Sequence, residues 1–415
     1  MTKKSDAPAI RFKGFSDAWE QRKLGDIGET YTGLSGKTKA DFGHGQARFV
    51  TYMNVFSNPI SNPEMTEPIE IDPKQNEVEV GDVFFTTSSE TPEEVGMSSV
   101  LLEKRGKTYL NSFCFGFRPS EIIDSYYLAY MLRSESARDK IILLAQGISR
   151  YNISKNKVME IAVSLPSLDE QKLIGQYFRQ LDNLIALHQR KFEKLTNVKK
   201  SMLEKMFPQN GSSYPEIRFK GFTDPWEQRK LSEMCGTFEY GLNAAAKEFD
   251  GKNKYIRITD IDDASREFLL SDLSSPDICL DGMSKYLLSS GDIVFARTGA
   301  SVGKTYIYRE NDGIVYFAGF LIRAKVNQDN DAEFVFQSTL SPSYEKYIRI
   351  TSQRSGQPGV NAQEYGEYDL FAPSKEEQQR IGQFLRGIDN LITLHQRELE
   401  KLQNIKKSML EKMFV

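Results

Sequence analysis

The sequence predicts an α+β protein with an internal two-fold repeat, in which two domains of mixed α/β content alternate with two long helices that pair as an antiparallel coiled coil. Three observations predict this fold class. Framework sequence recurs almost unchanged at an offset of 207 residues, the last part of each copy has apolar residues at coiled-coil spacing, and the middle of each copy holds short strand-like and helix-like runs.

The duplicated framework has an opening and a closing part in each copy. Residues 10–24 read I-R-F-K-G-F-S-D-A-W-E-Q-R-K-L, and residues 217–231 differ from them at two positions. A second pair of matching segments begins at Ser167 and Ser374, and both end in K-K-S-M-L-E-K-M-F. Little identity survives between these parts, so we infer that the framework does one task twice while the two middles do different tasks.

This tiling predicts four segments. Residues 1–165 hold the opening part and the first mixed domain, and residues 166–208 form the first helical region. Residues 209–372 hold a linker, the second opening part and the second mixed domain, and residues 373–415 form the second helical region. The linker composition P-Q-N-G-S-S-Y-P supports the join between the two copies.

Each closing segment carries the signals of a long helix. Ser167 with Glu170, and Ser374 with Glu377, form capping boxes directly after a proline. Apolar or seam residues then recur in steps of four and three, which is coiled-coil spacing. We predict that they form the contact between the two helices and a subunit interface. They are Ile174, Phe178, Leu181, Ile185, His188, Phe192, Leu195, Ile381, Leu385, Ile388, Ile392, His395, Leu399 and Leu402.

The seam leaves two questions open. Plain core packing is the alternative to a role in binding partners, and the repeated M-L-E-K-M at each helix end is a further candidate contact face for other chains. We interpret His188 and His395, at equivalent seam positions, as packed residues and not as metal ligands or catalytic groups.

The mixed domains contain short elements whose strand order the sequence does not determine. Strand-like runs occur at residues 83–86, 109–117, 255–258, 293–295 and 314–324, and helix-like runs at 126–138 and 332–340. In the opening parts, Asp17 and Asp224 are N-cap signals that predict a short helix. We interpret Trp19 and Trp226 as anchors that fix each domain to the framework.

Composition and motifs argue against an enzyme site. The segment G-A-S-V-G-K-T at residues 299–305 has one residue too few for a P-loop, and the residues after it favour a strand where a P-loop needs a helix. Three scattered cysteines and three histidines give no metal spacing and fit a reducing compartment. Since no signal peptide or membrane-spanning run is recognisable, we expect a cytoplasmic protein with no membrane contact.

Four motifs resemble those of type I restriction-modification specificity subunits. They are the opening motif F-x-G-F-x-D-x-W-E-Q-R-K-L, the helix starts L-P-S-L-D-E-Q and A-P-S-K-E-E-Q, and the segment G-D-I-V-F-A-R-T-G-A-S-V-G-K. The resemblance runs from end to end. It implies two target recognition domains that read an asymmetric, bipartite site in double-stranded DNA, and helices that bind two modification (methyltransferase) subunits. It also implies a non-catalytic chain without a cofactor, the modification subunits using S-adenosylmethionine and the restriction subunits ATP and Mg.

Candidate DNA contacts are polar residues on loops of the two recognition domains. They are Lys37, Lys39, Thr87, Ser88, Glu90, Arg150, Asn152, Asn243, Lys247, Arg297, Thr298, Lys304, Arg354, Gln357 and Asn361. For each one, an ordinary surface or turn residue is the alternative. Glu90 is able to accept a hydrogen bond from a cytosine amino group, although a solvated loop carboxylate is the interpretation we favour.

The net charge of −3 bears on affinity. DNA-binding proteins gain affinity by neutralising phosphates, and this chain has acidic domains beside slightly basic helices. We therefore expect weak DNA binding by the isolated chain. Two other readings remain: a coiled-coil adaptor that presents two protein-binding modules, and a stand-alone nuclease or NTPase that needs Lys304.

Overall fold

The computed structural model describes residues 7–354 and 356–415. The chain divides into two compact units. Met1–Leu187 with Glu398–Val415 forms the first unit, and His188–Arg397 forms the second. Each unit contains one mixed domain, called a module below, together with parts of both long helices.

The first module is built around a four-stranded antiparallel sheet. In spatial order the strands are Gly28–Thr32, Cys114–Pro119, Val83–Thr86 and Ser98–Val100. The strand Val83–Thr86 is buried at every residue, as its apolar sequence V-F-F-T predicts. The other strands are Glu20–Lys23, Phe42–Val50, Thr66–Ile69, Ser88–Ser89, Thr108–Leu110, Tyr151–Asn152 and Ala162–Leu165, and the short helices are Tyr52–Ser57, Ser125–Met131, Glu135–Ile142 and Lys155–Met159.

The second module repeats this sheet. Its strands, in spatial order, are Cys235–Tyr240, Leu321–Val326, Asp292–Ala296 and Thr305–Ile307, again all antiparallel. The other strands are Glu227–Lys230, Ala246–Glu248, Lys254–Ile256, Ser274–Pro276, Val315–Phe317 and Asp369–Ala372, and the short helices are Leu231–Met234, Ala332–Ser338, Pro342–Thr351 and Ala362–Gly366. The two modules therefore share one sheet order although their sequences have diverged.

Most of the predicted elements of the modules are confirmed. The run 83–86 is a strand, and the long runs 109–117 and 314–324 each hold two strands separated by a turn. The residues after G-A-S-V-G-K form the strand Thr305–Ile307, as expected for a segment that is not a P-loop.

The opening parts are strands, so the predicted short helix at Asp17 and Asp224 is wrong. Glu20–Lys23 pairs antiparallel with Ala162–Leu165, and Glu227–Lys230 pairs in the same way with Asp369–Ala372. The pairing joins the start of each module to the strand that leads into its long helix. These backbone hydrogen bonds outweigh the local capping signal, as tertiary context commonly does.

The tryptophans are anchors, as predicted. Trp19 and Trp226 are 4% and 2% exposed. The ring of Trp226 packs edge-on against Phe207, at the end of the first long helix segment, and against Phe334 of the module. This contact fixes the second module to the helical framework within its unit.

The long helices extend over Leu168–Lys205 and Lys375–Lys412, 38 residues each. The predicted capping boxes are only partly correct. Ser167 Oγ accepts a hydrogen bond from Glu170 N, but the Glu170 carboxylate is buried and binds the Arg11 guanidinium through two hydrogen bonds of 2.6 and 2.8 Å. Arg218 and Glu377 repeat this bidentate pair in the second unit.

The predicted seam residues near the helix starts lie in the core of each unit. In the first unit, Ile174, Phe178 and Leu181 share a core with Met413 and Phe414. In the second unit Ile381, Leu385, Ile388, Leu203, Met206 and Phe207 are buried together. The start of one helix therefore packs against the end of the other inside each unit, which is the antiparallel pairing that was expected.

The remaining seam residues are half-buried, and the apolar residues of the candidate segment M-L-E-K-M pack into or against the cores of their own units. The half-buried residues are Ile185, His188, Phe192, Leu195, Ile392, His395, Leu399 and Leu402. Met206 and Met413 are 2% and 3% exposed because they fill the cores of their own units. Within residues 7–354 and 356–415, no helix is both long and apolar enough to span a membrane.

Candidate nucleic-acid interface

In the second module, two loops meet at one end of the central strand Asp292–Ala296. The backbone of Arg297 accepts a 2.9 Å hydrogen bond from Val360 N, and Gly299 N donates to Pro358 O at 3.0 Å. Thr298 pairs with Gly359 between these two bonds. We call Tyr240, residues 297–299, Phe320 and residues 357–361 the second loop edge; it contains four of the predicted contacts, Arg297, Thr298, Gln357 and Asn361.

Arg297 is the central side chain of the second loop edge. Its guanidinium carbon lies 5.2 Å from the ring centre of Tyr240 and 5.7 Å from that of Phe320. Its Nε is buried without a hydrogen-bond partner in the described part of the chain. Contact with two aromatic rings restrains the guanidinium, while its terminal nitrogens stay available to a ligand.

A cavity of about 590 Å³ opens beside Arg297. Asn243, Arg257 and Thr259 also line it. The guanidinium of Arg257 is already engaged by Asp260 through two 2.9 Å hydrogen bonds. The exposed amide of Asn243 and the guanidinium of Arg297 are therefore the free hydrogen-bonding groups that the structure brings together at this cavity among the predicted residues.

The first module builds the same backbone arrangement with different side chains. Ile153 N donates to Thr87 O at 3.0 Å, as Val360 N does to Arg297 O, and Ser88–Ser89 pairs with Tyr151–Asn152. We call Thr32, residues 87–90, Phe113 and residues 150–153 the first loop edge. Thr87, Ser88 and Asn152 are brought together here, with Ser88 buried and its carbonyl bound by the Tyr52 hydroxyl at 2.8 Å.

Several predicted DNA contacts are already engaged in the protein. Lys37 forms a 2.9 Å ion pair with Asp72, which raises the pKa of Lys37. Lys304 forms a 2.5 Å ion pair with Asp263, and Arg354 binds Glu364. Asn361 caps the helix Ala362–Gly366 through its side chain, which accepts from Glu364 N at 2.9 Å. Each of these residues is partly committed to local structure.

Other predicted contacts are exposed. Lys39, Glu90, Asn243 and Gln357 have no side-chain hydrogen bond or ion pair within the described residues, and Arg150 is exposed beside Asn152. Lys247 is exposed on the strand Ala246–Glu248, at 4.0 Å from Asp277. Lys37, Lys39 and Lys247 lie outside the two loop edges, so the structure does not gather all predicted residues into one surface.

Three aromatic residues at the loop edges are not among the contacts predicted from the sequence. Tyr240 and Phe320 flank Arg297, and Phe113 is the equivalent of Phe320 in the first module. Phe113 and Phe320 are each 57% exposed. Their separation by the repeat offset of 207 residues is the signal that identifies them.

The helical framework has its own repeated contacts. In the first unit Lys406 forms a 2.5 Å ion pair with Asp182, and in the second unit Lys199 pairs with Asp389. The exposed helix residues include two equivalent apolar pairs, Leu184 with Leu187 and Leu391 with Leu394, between 38% and 51% exposed. In each pair the residues are three apart, so they lie on one face of their helix.

The fold and the two loop edges define a duplicated α+β protein that carries two divergent binding modules on one repeated helical framework. The chain belongs to the family described as the type I restriction modification DNA specificity domain, whose model matches residues 16–197 and again residues 223–404. The resemblance inferred from the motifs is thus confirmed.

Relatives and solved structures agree with the family. The chain is 26% identical over 302 residues to the type I restriction enzyme MjaVIII specificity subunit of Methanocaldococcus jannaschii, covering 70% of this chain and 69% of the relative. It is 23% identical over 319 residues to the EcoKI specificity subunit of Escherichia coli, covering 73% and 68%. The crystal structure of a type I restriction-modification S subunit from M. genitalium matches with a TM-score of 0.64 at 15% identity, covering 99% of both chains.

Proposed function

We propose that this chain is the DNA-reading subunit of a type I restriction-modification complex, in which each module reads one half of an asymmetric, bipartite site. One observation carries the proposal. The two loop edges have the same backbone hydrogen bonds but present different side chains, Arg297 and Tyr240 in one and Thr87 and Thr32 in the other. A shared scaffold with different polar groups is the arrangement that two different half-sites require.

The second loop edge is suited to a base with two adjacent acceptors. An arginine that presents two terminal nitrogens forms a bidentate contact with O6 and N7 of guanine, the commonest specific contact in the major groove. Asn243 and Gln357 add amide groups, which are able to pair with adenine. We therefore propose Arg297, Thr298, Asn243, Gln357 and Asn361 as contacts of the second half-site.

The first loop edge offers hydroxyl, amide and carboxylate groups in place of the arginine. Thr87, Asn152 and Arg150 are the proposed contacts of the first half-site, with Glu90 as an acceptor for a cytosine amino group. Ser88 is buried, so we do not propose it as a base contact. We propose phosphate contacts for the basic candidate residues that lie outside the two loop edges: Lys37, Lys39, Lys247, Lys304 and Arg354. Four of them, Lys37, Lys247, Lys304 and Arg354, also form ion pairs with carboxylates of this chain. Phosphate contacts orient a protein on DNA without reading bases.

The proposal assigns no chemistry to this chain. Its relatives are named specificity subunits, so we assign methyl transfer with S-adenosylmethionine to two modification subunits, and ATP- and Mg-dependent steps to the restriction subunits. With a net charge of −3, the chain alone gains little from phosphate neutralisation. Stable binding to DNA then depends on the phosphate contacts of the partner subunits.

The helices are the proposed docking sites for the modification subunits. Each helix has an apolar patch that its own unit leaves exposed, formed by Leu184 and Leu187 in one helix and by Leu391 and Leu394 in the other. In this scheme residues 1–165 and 209–372 hold the two recognition domains, and residues 166–208 and 373–415 hold the two docking helices.

The deciding experiment is co-expression of the chain with its cognate modification subunit in a host that lacks adenine methylation. Long-read sequencing then maps the methylated adenines. We expect one new gapped motif with unlike halves, and exchange of residues 232–366 for another module should change one half only. If the two proteins co-purify and the modification subunit binds its methyl donor but no motif appears, the proposal fails and the adaptor interpretation takes its place.

A further inference from the structure

Phe113 and Phe320 occupy the same place in the two modules. Each directly precedes the second strand of its sheet, Cys114–Pro119 or Leu321–Val326, and each is 57% exposed. A single exposed phenylalanine is ordinary on a protein surface. The same exposure at both copies is not expected of two modules that have otherwise diverged, because burial of a phenylalanine ring stabilises a fold and each exposed ring forgoes that gain.

Both phenylalanines are held in position by their backbone. Phe113 O accepts from Thr87 N at 3.0 Å and from Thr87 Oγ1 at 2.9 Å, while Phe113 N donates to Asn111 Oδ1 at 2.9 Å. Phe320 O accepts from Arg297 N at 3.1 Å. The backbone of each phenylalanine is therefore fixed next to the first residue after the buried central strand, within its loop edge.

The residues around the two rings differ in chemistry. Thr32 and Tyr240 end the equivalent strands Gly28–Thr32 and Cys235–Tyr240, and Thr87 stands where the second module has Arg297. Only the phenylalanine is common to both edges. A phenyl ring has no hydrogen-bonding group, so it cannot distinguish the donor and acceptor patterns of base pairs.

We propose that Phe113 and Phe320 are a DNA contact shared by the two modules, one ring in each half-site, which packs against the apolar surface of the sugars whatever the base. This inference rests on the proposed function and deepens it. Discrimination then belongs to the residues that differ, such as Arg297 and Thr87, and the ring supplies affinity and register. DNA is the favoured occupant because Arg297, whose guanidinium carbon lies 5.7 Å from the Phe320 ring, and Gln357, on the same loop edge and next to Gly299, carry free hydrogen-bonding groups.

Photo-cross-linking tests the contact directly. p-Azidophenylalanine replaces the residue at position 113 or 320 of the full chain, which is then assembled with the modification subunit on a labelled duplex containing its methylation-mapped site. We expect the probe at 113 to label one half-site and the probe at 320 to label the other.

Ile122 and Asp329 are matched control positions at the same repeat offset, and both are exposed. They lie beyond the far end of the six-residue strand that follows each phenylalanine, about 20 Å away at roughly 3.3 Å per residue. We expect little cross-linking from either. Two outcomes overturn the inference while the proposed function stands. One is equal labelling from the probes at positions 122 and 113, and the other is no labelling from positions 113 and 320 by a complex that still methylates its site.

Substitution tests the division of roles. Phe113→Ala and Phe320→Ala should each weaken binding of the complex to the mapped duplex roughly tenfold, the order for loss of one aromatic contact with nucleic acid, without changing the methylated motif. A thermal unfolding midpoint equal to that of the unsubstituted chain controls for misfolding. A changed motif with either variant would make the ring a discriminating residue and overturn the shared role, whereas absence of any motif with the unsubstituted complex defeats the proposed function itself.

Discussion

His188 and His395 face each other in the helical part of the second unit, with their Nδ1 atoms 3.2 Å apart and their ring planes at 70°. At this distance one ring donates through Nδ1–H and the other accepts, so the contact needs at least one neutral ring. Burial, His188 and Lys191 lower the pKa of His395. The prediction that both histidines are packed seam residues agrees with their half-buried positions.

The contact between His188 and His395 predicts that the free energy of unfolding decreases at acidic pH. A histidine whose pKa is lower in the folded state takes up protons more readily when unfolded, so stability falls as the pH drops below about 6.5, the usual histidine pKa. We expect the thermal unfolding midpoint to decrease between pH 7.5 and pH 5.5. His395→Gln, which keeps a hydrogen-bonding side chain without this titration, should show a smaller decrease. An equal decrease for both chains would assign the effect to other groups.

The buried ion pairs at the starts of the long helices predict a large loss of stability when one partner is removed. Glu377 is 1% exposed and Arg218 satisfies both of its oxygens, so Arg218→Ala leaves a buried, unpaired carboxylate. We expect a loss of about 3–5 kcal/mol in the free energy of unfolding, measured with urea.

The double variant Arg218→Met with Glu377→Gln is the control for this pair, since it removes both charges and should recover most of the lost stability. Arg11→Ala, at the equivalent pair with Glu170, should have a similar effect on the first unit. A loss below 1 kcal/mol for both single variants would contradict a structural role of these pairs.

The exposed leucines on the helices predict where the modification subunits dock. Leu187→Glu and Leu394→Glu place a charge at equivalent positions that are 38% and 51% exposed, so the fold itself should tolerate them. We expect each variant to recover less of the modification subunit by co-purification. Ile71→Glu, at a 49% exposed position in the first module, serves as the control and should leave recovery unchanged. Full recovery with both helix variants would place the docking surface elsewhere.

Periodicity and repetition predict the framework well. The apolar spacing of a long helix is a local signal, and a duplicated sequence is visible without any knowledge of the fold. The seam residues Ile174 and Ile381, and the strand at residues 83–86, follow directly from apolar spacing. The opening strands Glu20–Lys23 and Glu227–Lys230 could not be predicted from local sequence, because the strands that pair with them lie more than 130 residues away.

The loop edges show a similar limit. The motif predicts Arg297 as a candidate DNA contact, but the position of its guanidinium between Tyr240 and Phe320 joins three separate segments of the chain. Lys304 and Arg354 are predicted as DNA contacts from their charge, but the sequence does not reveal that Asp263 and Glu364 pair with them. Sequence patterns select residue types, whereas tertiary contacts decide which of those groups stay free.

Arg297 gives the sharpest test of base reading by the second module. Arg297→Lys keeps the positive charge but cannot present a planar, bidentate donor pair. We expect it to cost about 1–3 kcal/mol of discrimination at one position of one half-site, so that methylation mapping shows that position relaxed and the other half-site unchanged. Arg297→Ala should relax the same position and also weaken overall binding. If both variants leave the motif intact, or if the lysine variant alters the half-site of the first module, Arg297 does not read a base of the second half-site.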